Sequence, residues 1–208
     1  MNIIKFPDPS LANEAGFLAA GGDLQPQTLL TAYSKGIFPW YAEDQPILWW
    51  APDPRMVLFP AEFHCSKRLA RRMRQNIYTV SFDESFEQVI KACAEIPRRG
   101  ENGTWIFPEM IEAYNRMHAL GHAHSVEVWQ DDELVGGLYG LLHQQTFFAE
   151  SMFSRTIDAS KVALAMLCER ALQEQWKLID CQFHTDHLQS LGAREISRQE
   201  FISRITSK

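Results

Sequence analysis

The chain has 208 residues, of which 46% are hydrophobic, and a formal net charge of −6. This composition supplies a packed core, and no run approaches the roughly 20 apolar residues that a membrane-spanning helix requires. Residues 1–10 lack the apolar core of a signal peptide, so we expect a folded cytoplasmic protein. The four cysteines are far apart and show no Cys-x-x-Cys pairing, which favours buried, reduced thiols over zinc sites or disulfides.

Residues 1–62 are predicted to form a small N-terminal α/β domain. They are rich in proline, glycine and aromatic residues, which is typical of turns and short strands, and they contain one helical pattern over residues 27–35. Residues 63–208 are predicted to form a second, larger domain, which begins with a basic helix over residues 66–75.

The basic helix has five cations within eight residues, and Ser66 is a suitable N-cap for it. Leu69 and Met73 form a narrow apolar seam at helical spacing. A generic basic helix often pairs with nearby acids, but no acid interrupts this run, so we favour a surface that binds phosphate groups. The five cations are Lys67, Arg68, Arg71, Arg72 and Arg74.

Helices and strands alternate from residue 83 onward, and Asp83 is a plausible N-cap for the first of these helices. This order predicts an α+β domain with a mixed sheet. The predicted helices span residues 84–95, 108–120, 160–175 and 185–191, and the predicted strands span residues 125–129, 134–141, 146–152 and 177–183.

Two of these predicted strands carry polar residues where core residues are expected. Glu150 lies between Phe148 and Met152, which the two-residue period of a strand places on the same face. Asp180 and Gln182 likewise share one face of a later strand. Because a buried carboxylate needs a cation or a place in a functional site, the pattern predicts a pocket with a few placed polar groups.

The order of elements towards the C-terminus resembles the fold of the N-acetyltransferases. Those enzymes bind the CoA pyrophosphate with a glycine-bearing loop between a strand and the following helix. The corresponding residues 154–160 read SRTIDAS and contain no glycine. An acyl group is therefore expected to arrive on another carrier, and no cofactor is predicted.

Longer motifs extend over nearly the whole chain. They occur at residues 21–24 (GGDL), 33–40 (YSKGIFPW), 49–55 (WWAPDPR), 103–106 (GTWI), 121–127 (GHAHSVE), 136–140 (GGLYG), 150–154 (ESMFS) and 178–182 (LIDCQ). In this order they resemble the leucyl/phenylalanyl-tRNA-protein transferase family. Two departures are Thr185, where an asparagine is common, and a tail that stops at Lys208, which is shorter than in familiar members.

The resemblance implies a GNAT-like (N-acetyltransferase-like) catalytic domain and an aminoacyltransferase activity. Leucine or phenylalanine, and methionine less well, would move from aminoacyl-tRNA to the N-terminal Arg or Lys of acceptor proteins, which marks them for degradation by the N-end rule pathway. The partners would be aminoacyl-tRNA and these acceptors, without a membrane, and we expect a monomer. The basic helix would contact the tRNA backbone.

The resemblance also implies site residues. Asp180 would orient Gln182 and stabilise positive charge, Gln182 would hold the attacking amine, and Glu150 would contact the aminoacyl end. Trp40 and Trp105 would stack on the terminal adenosine. The amino-acid pocket would consist of Leu138, Phe147, Met152 and Phe153.

Two alternatives stay open at this point. A CoA-dependent N-acetyltransferase is disfavoured by the missing glycine loop. A non-catalytic tRNA-binding module would need the basic helix but not the polar residues on two strands. A metal site is not predicted, because no carboxylate or thiol cluster accompanies the histidines His122, His124, His184 and His187.

Overall fold

The computed structural model describes residues 4–96 and 104–207, so residues 1–3 and Gly103, which entered the sequence predictions, lie outside the described residues. The helices are α1 (Pro26–Tyr33), α2 (Lys67–Arg74), α3 (Phe86–Glu95), α4 (Pro108–Ala119), α5 (Ala159–Gln173), α6 (Asp186–Ser190) and α7 (Arg198–Thr206). The strands are β1 (Phe17–Ala20), β2 (Phe38–Pro39), β3 (Leu48–Trp50), β4 (Arg55–Leu58), β5 (Thr79–Phe82), β6 (Ala123–Gln130), β7 (Glu133–His143), β8 (Thr146–Ser154), β9 (Leu178–Gln182) and β10 (Arg194–Ile196).

The strands form two sheets. The small sheet has the order β1-β3-β2, and the large sheet has seven strands in the order β10-β4-β9-β8-β7-β6-β5. All neighbours in the large sheet are antiparallel except β8 and β9, which are parallel. The predicted α+β fold with a mixed sheet is confirmed.

Strands β8 and β9 pair over only a short stretch and then separate. The register runs from Thr146 opposite Leu178 to Phe148 opposite Asp180. Strand β8 continues to Ser154 while β9 ends at Gln182, and the two strands share no further register pair among the described residues. A parallel pair in mid-sheet whose strands part after a few residues leaves room for a ligand between them.

Helices cover both faces of the large sheet and divide the core in two. Helices α3 and α4 pack on one face, together with α1, α7 and the small sheet. Helices α5 and α2 pack on the other. Helix α1 begins with Pro26, whose ring restricts the backbone to helical φ, and it matches the helix predicted over residues 27–35.

Several elements were not predicted from the sequence. Strands β5 and β10 and helix α7 are new, and β4 lies in the large sheet between β9 and β10 although it precedes the predicted domain boundary. All four residues of β4 are buried, so it carries no alternating pattern to distinguish it from the surrounding loops. The boundary after residue 62 stays a prediction.

The prediction that Asp83 caps a helix is wrong. Ser85 occupies the N-cap position of α3, and Asp83 has a left-handed backbone with φ of 63°. Its carboxylate instead accepts the Ser125 N–H at 2.9 Å and contacts His124 Nδ1 at 3.0 Å. Asp83 therefore fixes the corner between β5 and α3 onto β6.

Among the residues that the structure describes, no helix combines the length and the apolar character needed to cross a bilayer.

Candidate active site

An apolar cavity of about 210 Å³ lies where β8 and β9 part. Strands β7, β8 and β9 contribute to its wall together with helices α5 and α6. Three polar residues, Glu150, Ser151 and Gln182, also line it. Its apolar lining consists of Leu138, Ala149, Met152, Leu164, Cys181 and Leu188.

A β-bulge in β8 sets the direction of Glu150. Tyr139 pairs with Ser151 and Gly140 with Ala149, which leaves Glu150 as the extra residue. Because an extra residue interrupts the alternation of a strand, Phe148 packs with the α3 and α4 core while Met152 packs with the α5 core. The prediction that Phe148 and Met152 share a face with Glu150 between them is therefore wrong.

Glu150 is buried, with 6% of its surface exposed, and it lies in a network of hydroxyl groups. The Tyr33 hydroxyl donates to its Oε1 at 2.6 Å, and the hydroxyls of Tyr33 and Tyr114 contact each other. Burial raises the pKa of Glu150 to about 7, although the hydrogen bonds from both tyrosines oppose this shift. Burial also raises the pKa of both tyrosines, so they remain neutral donors.

Asp180 forms a buried ion pair with Arg55 from the neighbouring strand. Arg55 Nε donates to Oδ1 at 2.8 Å and Nη2 donates to Oδ2 at 2.6 Å, and the two side chains are 1% and 0% exposed. Such a bidentate pair is the strong form of an arginine–carboxylate interaction. The cation that a buried carboxylate requires is thus Arg55 in the case of Asp180.

Gln182 connects the two carboxylates. Its main-chain N–H donates to Asp180 Oδ1 at 3.0 Å, and its side-chain Nε2 donates to Glu150 Oε1 at 3.2 Å. The residue has a left-handed backbone, with φ of 62°. Because Nε2 is directed to Glu150, the amide oxygen is left to accept a hydrogen bond from a ligand. As predicted, Ile179 and Cys181 pack in the α5 core, but Gln182 lines the same cavity as Cys181. The register pairs Met56–Gln182 and Val57–Asp180 leave Cys181 as an extra residue of β9, so the prediction that Asp180 and Gln182 share one face is wrong.

A wide aromatic groove of about 940 Å³ adjoins this centre. Both predicted adenosine-stacking residues, Trp40 and Trp105, line it. The ring of Trp40, which is 39% exposed, lies 5.4 Å from the ring of Phe183. Phe183 directly follows Gln182, so it connects Trp40 of the groove to the polar centre at the end of β9.

The four predicted pocket residues do not all lie together. Leu138 and Met152 line the cavity. Phe147 is instead fully buried and stacks on Trp176, with ring centres 5.5 Å apart. Phe153 belongs to the opposite core, because the bulge shifts the alternation of β8. The structure therefore places Phe147 and Phe153 in the core and outside the lining of this cavity, and their role in the amino-acid pocket stays a prediction.

The basic helix α2 begins as predicted, since Ser66 Oγ accepts the Leu69 N–H at 3.2 Å. Asp158, however, contacts the Nε atoms of Arg68 at 3.3 Å and Arg72 at 3.4 Å. The expectation that acids lie elsewhere is therefore wrong for these two arginines. The other cations, Lys67, Arg71 and Arg74, are exposed, and no ion pair joins them to a described carboxylate.

Two further predictions concern Thr185 and the cysteines. Thr185, the departure from the family asparagine, still caps α6, because its Oγ1 accepts the Leu188 N–H at 3.2 Å. Cys65 is exposed in the loop before α2, so the prediction of buried thiols is wrong for it and right for Cys93, Cys168 and Cys181.

The sequence was also compared with known proteins. A family model described as leucyl/phenylalanyl-tRNA protein transferase matches residues 57–206, and a model of the N-terminal domain of the same enzyme matches residues 22–53. The leucyl/phenylalanyl-tRNA–protein transferase of Syntrophobacter fumaroxidans is 55% identical over 95% of this chain and 85% of its own length. The chain belongs to this transferase family. The resemblance found in the motifs is confirmed.

A solved structure shares the fold of this family member without close sequence similarity. The crystal structure of FemX matches with a TM-score of 0.51 and 11% identity, over 88% of this chain and 71% of that chain. A GCN5-related N-acetyltransferase from Kribbella flavida matches with a TM-score of 0.43 and 10% identity, over 83% of this chain and 61% of that chain.

Three residues of the polar centre were missed by the sequence reasoning. Arg55 ends the motif at residues 49–55 and Tyr33 begins the motif at residues 33–40, so each carried a motif signal but no chemical one. Tyr114 lies on the buried side of α4, where an aromatic residue is ordinary core packing. Only the fold brings α1, α4, β4, β8 and β9 to one point.

Proposed function

We propose that this chain transfers leucine or phenylalanine, and methionine less well, from aminoacyl-tRNA to the N-terminal Arg or Lys of acceptor proteins. The observation that carries the proposal is that Gln182 lines an apolar cavity while the next residue, Phe183, contacts Trp40 of the aromatic groove. A side chain held in the cavity and an adenosine held in the groove would place the ester that joins them beside Glu150, Asp180 and Gln182. Family membership supports the same activity.

The reaction depends more on positioning of the amine and the ester than on activation of the amine. The acceptor amine attacks the ester carbonyl carbon, the bond to the ribose oxygen breaks, an amide forms, and the ribose hydroxyl regains a proton. An α-amino group with a pKa of about 8 is already partly neutral at pH 7, so it needs no strong base. Gln182 offers its amide oxygen to the amine N–H, and holding the reactants together supplies the rate.

The aromatic groove suits the terminal adenosine. Stacking of a base on an aromatic side chain is worth about 1 to 3 kcal/mol. Trp40 has an exposed ring, and the Trp50 indole N–H donates to the Trp40 carbonyl oxygen at 2.5 Å, which holds this segment in place. Trp40 and Trp105 would then hold the base from the two sides of the groove.

The cavity suits an unbranched or γ-branched side chain. Leu138 and Met152 line it with Leu164 of α5, and all three are apolar. Size alone discriminates only by about 1 to 3 kcal/mol per methylene, so valine and isoleucine would be excluded by a wall near the β-carbon.

Met152→Ala is expected to lower the transfer of leucine by about 10-fold or more relative to the parent, and to lower that of phenylalanine less. The smaller side chain loses a larger share of its contacts when the wall recedes. The measurement is the transfer efficiency for Leu-, Phe-, Met- and Ile-tRNA. Met166→Ala on α5, outside the cavity lining, is the matched control. If Met152→Ala leaves the four transfer efficiencies unchanged, Met152 is an ordinary core residue and does not contribute to substrate selection.

The free cations of α2 are proposed to hold the tRNA backbone. Lys67, Arg71 and Arg74 face solvent, whereas Arg68 and Arg72 are partly neutralised by Asp158. Phosphate contacts of this kind contribute affinity that falls with salt and carry no information about the amino acid.

Arg71→Glu combined with Arg74→Glu is expected to weaken tRNA binding and to reduce the salt slope by something under about 2 units, without changing which amino acid is transferred. Affinity measured against salt concentration tests this. Arg116→Glu with Arg204→Glu changes the net charge equally at two other helical arginines and should leave binding almost unaltered. Equal behaviour of the two double variants would contradict a local role for α2.

The activity itself is tested by incubating the protein with labelled Leu-tRNA and a peptide that begins with Arg. We expect label in the peptide, and none in the same peptide with an acetylated N-terminus. Acetyl-CoA as the donor distinguishes the acetyltransferase alternative, and tRNA binding without transfer would indicate the binding module. The cytoplasmic location, the monomeric state and the link to N-end rule degradation stay proposals.

A further inference from the structure

Arg55 is held more firmly than an ordinary ion-pair partner. Its guanidinium carbon lies 4.7 Å from the ring centre of Phe38 and 4.6 Å from that of Phe201. Phe38 comes from the small sheet and Phe201 from α7. With 1% of its surface exposed, the side chain is enclosed by aromatic rings while its edge pairs with Asp180.

This enclosure determines where Asp180 lies. Its Oδ1 accepts both Arg55 Nε at 2.8 Å and the Gln182 main-chain N–H at 3.0 Å. The fork of a guanidinium fits a carboxylate in one plane, so the orientation of Arg55 sets that of the carboxylate. The carboxylate then holds the left-handed turn at Gln182, from which the amide side chain reaches Glu150.

We propose that Arg55 is a positioning residue for the transfer reaction, clamped by Phe38 and Phe201, and that it acts through Asp180 to aim Gln182 at the attacking amine. The inference rests on the proposed function. It assigns the small sheet and α7 a part in the reaction, since each supplies one wall of the clamp.

A lysine in place of Arg55 would keep the charge and lose the planar fork. In single turnover at saturating Leu-tRNA, Arg55→Lys is expected to slow transfer to an Arg-initiated peptide by about 10- to 100-fold, because small misplacements at a reacting centre have effects of that size. The affinity for Leu-tRNA should stay within about twofold of the parent, because the substitution does not remove contacts that bind the substrate equally in the ground state and the transition state.

A double-mutant cycle separates positioning from general damage. If Arg55 works only through Asp180, then Arg55→Lys with Asp180→Asn should be no more than about threefold slower than Asp180→Asn alone, because residues that act as a unit are not additive. Arg194→Lys is the matched control. Arg194 also lies over a phenylalanine, 4.4 Å from the ring centre of Phe59, and pairs with Glu62 at 3.0 Å, but at the surface. It should transfer at the parental rate.

Three results would overturn the inference: a parental rate in Arg55→Lys, a loss confined to Leu-tRNA affinity, or losses that multiply in the double variant. A parental rate in Asp180→Asn would instead remove the proposed active site, and the inference with it. Should Arg55→Lys fail to fold, Phe201→Leu replaces it in the same cycle, because it loosens the clamp and keeps the ion pair. The same three results then decide.

Discussion

Asp180→Ala is expected to slow the transfer of leucine to a peptide by about 100-fold or more at saturating substrate, with tRNA affinity nearly unchanged. The carboxylate holds the Gln182 turn, so its removal releases the amide that receives the amine. Single-turnover transfer by the folded variant is the measurement. A rate equal to the parent would make the Arg55–Asp180 pair purely structural.

The same substitution should also destabilise the fold. It leaves the guanidinium of Arg55 buried without its carboxylate, and breaking such a pair from one side costs about 3 to 5 kcal/mol of unfolding free energy. Glu62→Ala is the control, because it breaks the pair with Arg194 at the surface, which should cost about 1 kcal/mol or less. Urea denaturation of both variants measures the difference, and equal losses would contradict the role of burial.

Glu150 should make the stability of the protein depend on pH. The pKa of this buried carboxyl is about 7 in the folded protein, against an ordinary value of 4.5. Between these values the folded protein keeps a proton that the unfolded chain has released. The unfolding free energy therefore falls as the pH rises from 4.5 to 7, by about 3 kcal/mol in total, since each pKa unit corresponds to about 1.4 kcal/mol.

Glu150→Gln should remove this fall, because glutamine does not titrate. Tyr33→Phe should extend the fall to higher pH, because it deletes a hydrogen bond that favours the charged carboxylate. The measurement is the unfolding free energy of the three proteins across this range. Parallel curves for the parent and Glu150→Gln would show that Glu150 does not titrate there. The titration of other groups, such as His143 and His187, is common to all three proteins and cancels in the comparison.

Local sequence patterns were enough for much of the fold. The helical spacing of apolar and charged residues predicted α2 together with its cap at Ser66, and the alternation in residues 179–181 placed Asp180 opposite Ile179 and Cys181. These features depend on neighbours in the chain, where backbone geometry decides which side chains share a face. The motifs likewise identified the family, and they marked Glu150, Asp180 and Gln182 as chemically unusual positions.

Tertiary structure alone decided what these positions contact. The bulge at Glu150 places Phe148 and Met152 in opposite cores, although their even spacing in a regular strand would put them on one face, and no local pattern in β8 indicates the extra residue. The cation for Asp180 comes from β4, 125 residues earlier in the chain. The hydroxyl group that donates to Glu150 belongs to Tyr33 of α1, 117 residues earlier. A buried charge signals that a partner is needed, but packing between distant elements determines which residue supplies it, and short-range periodicity contains no record of that packing.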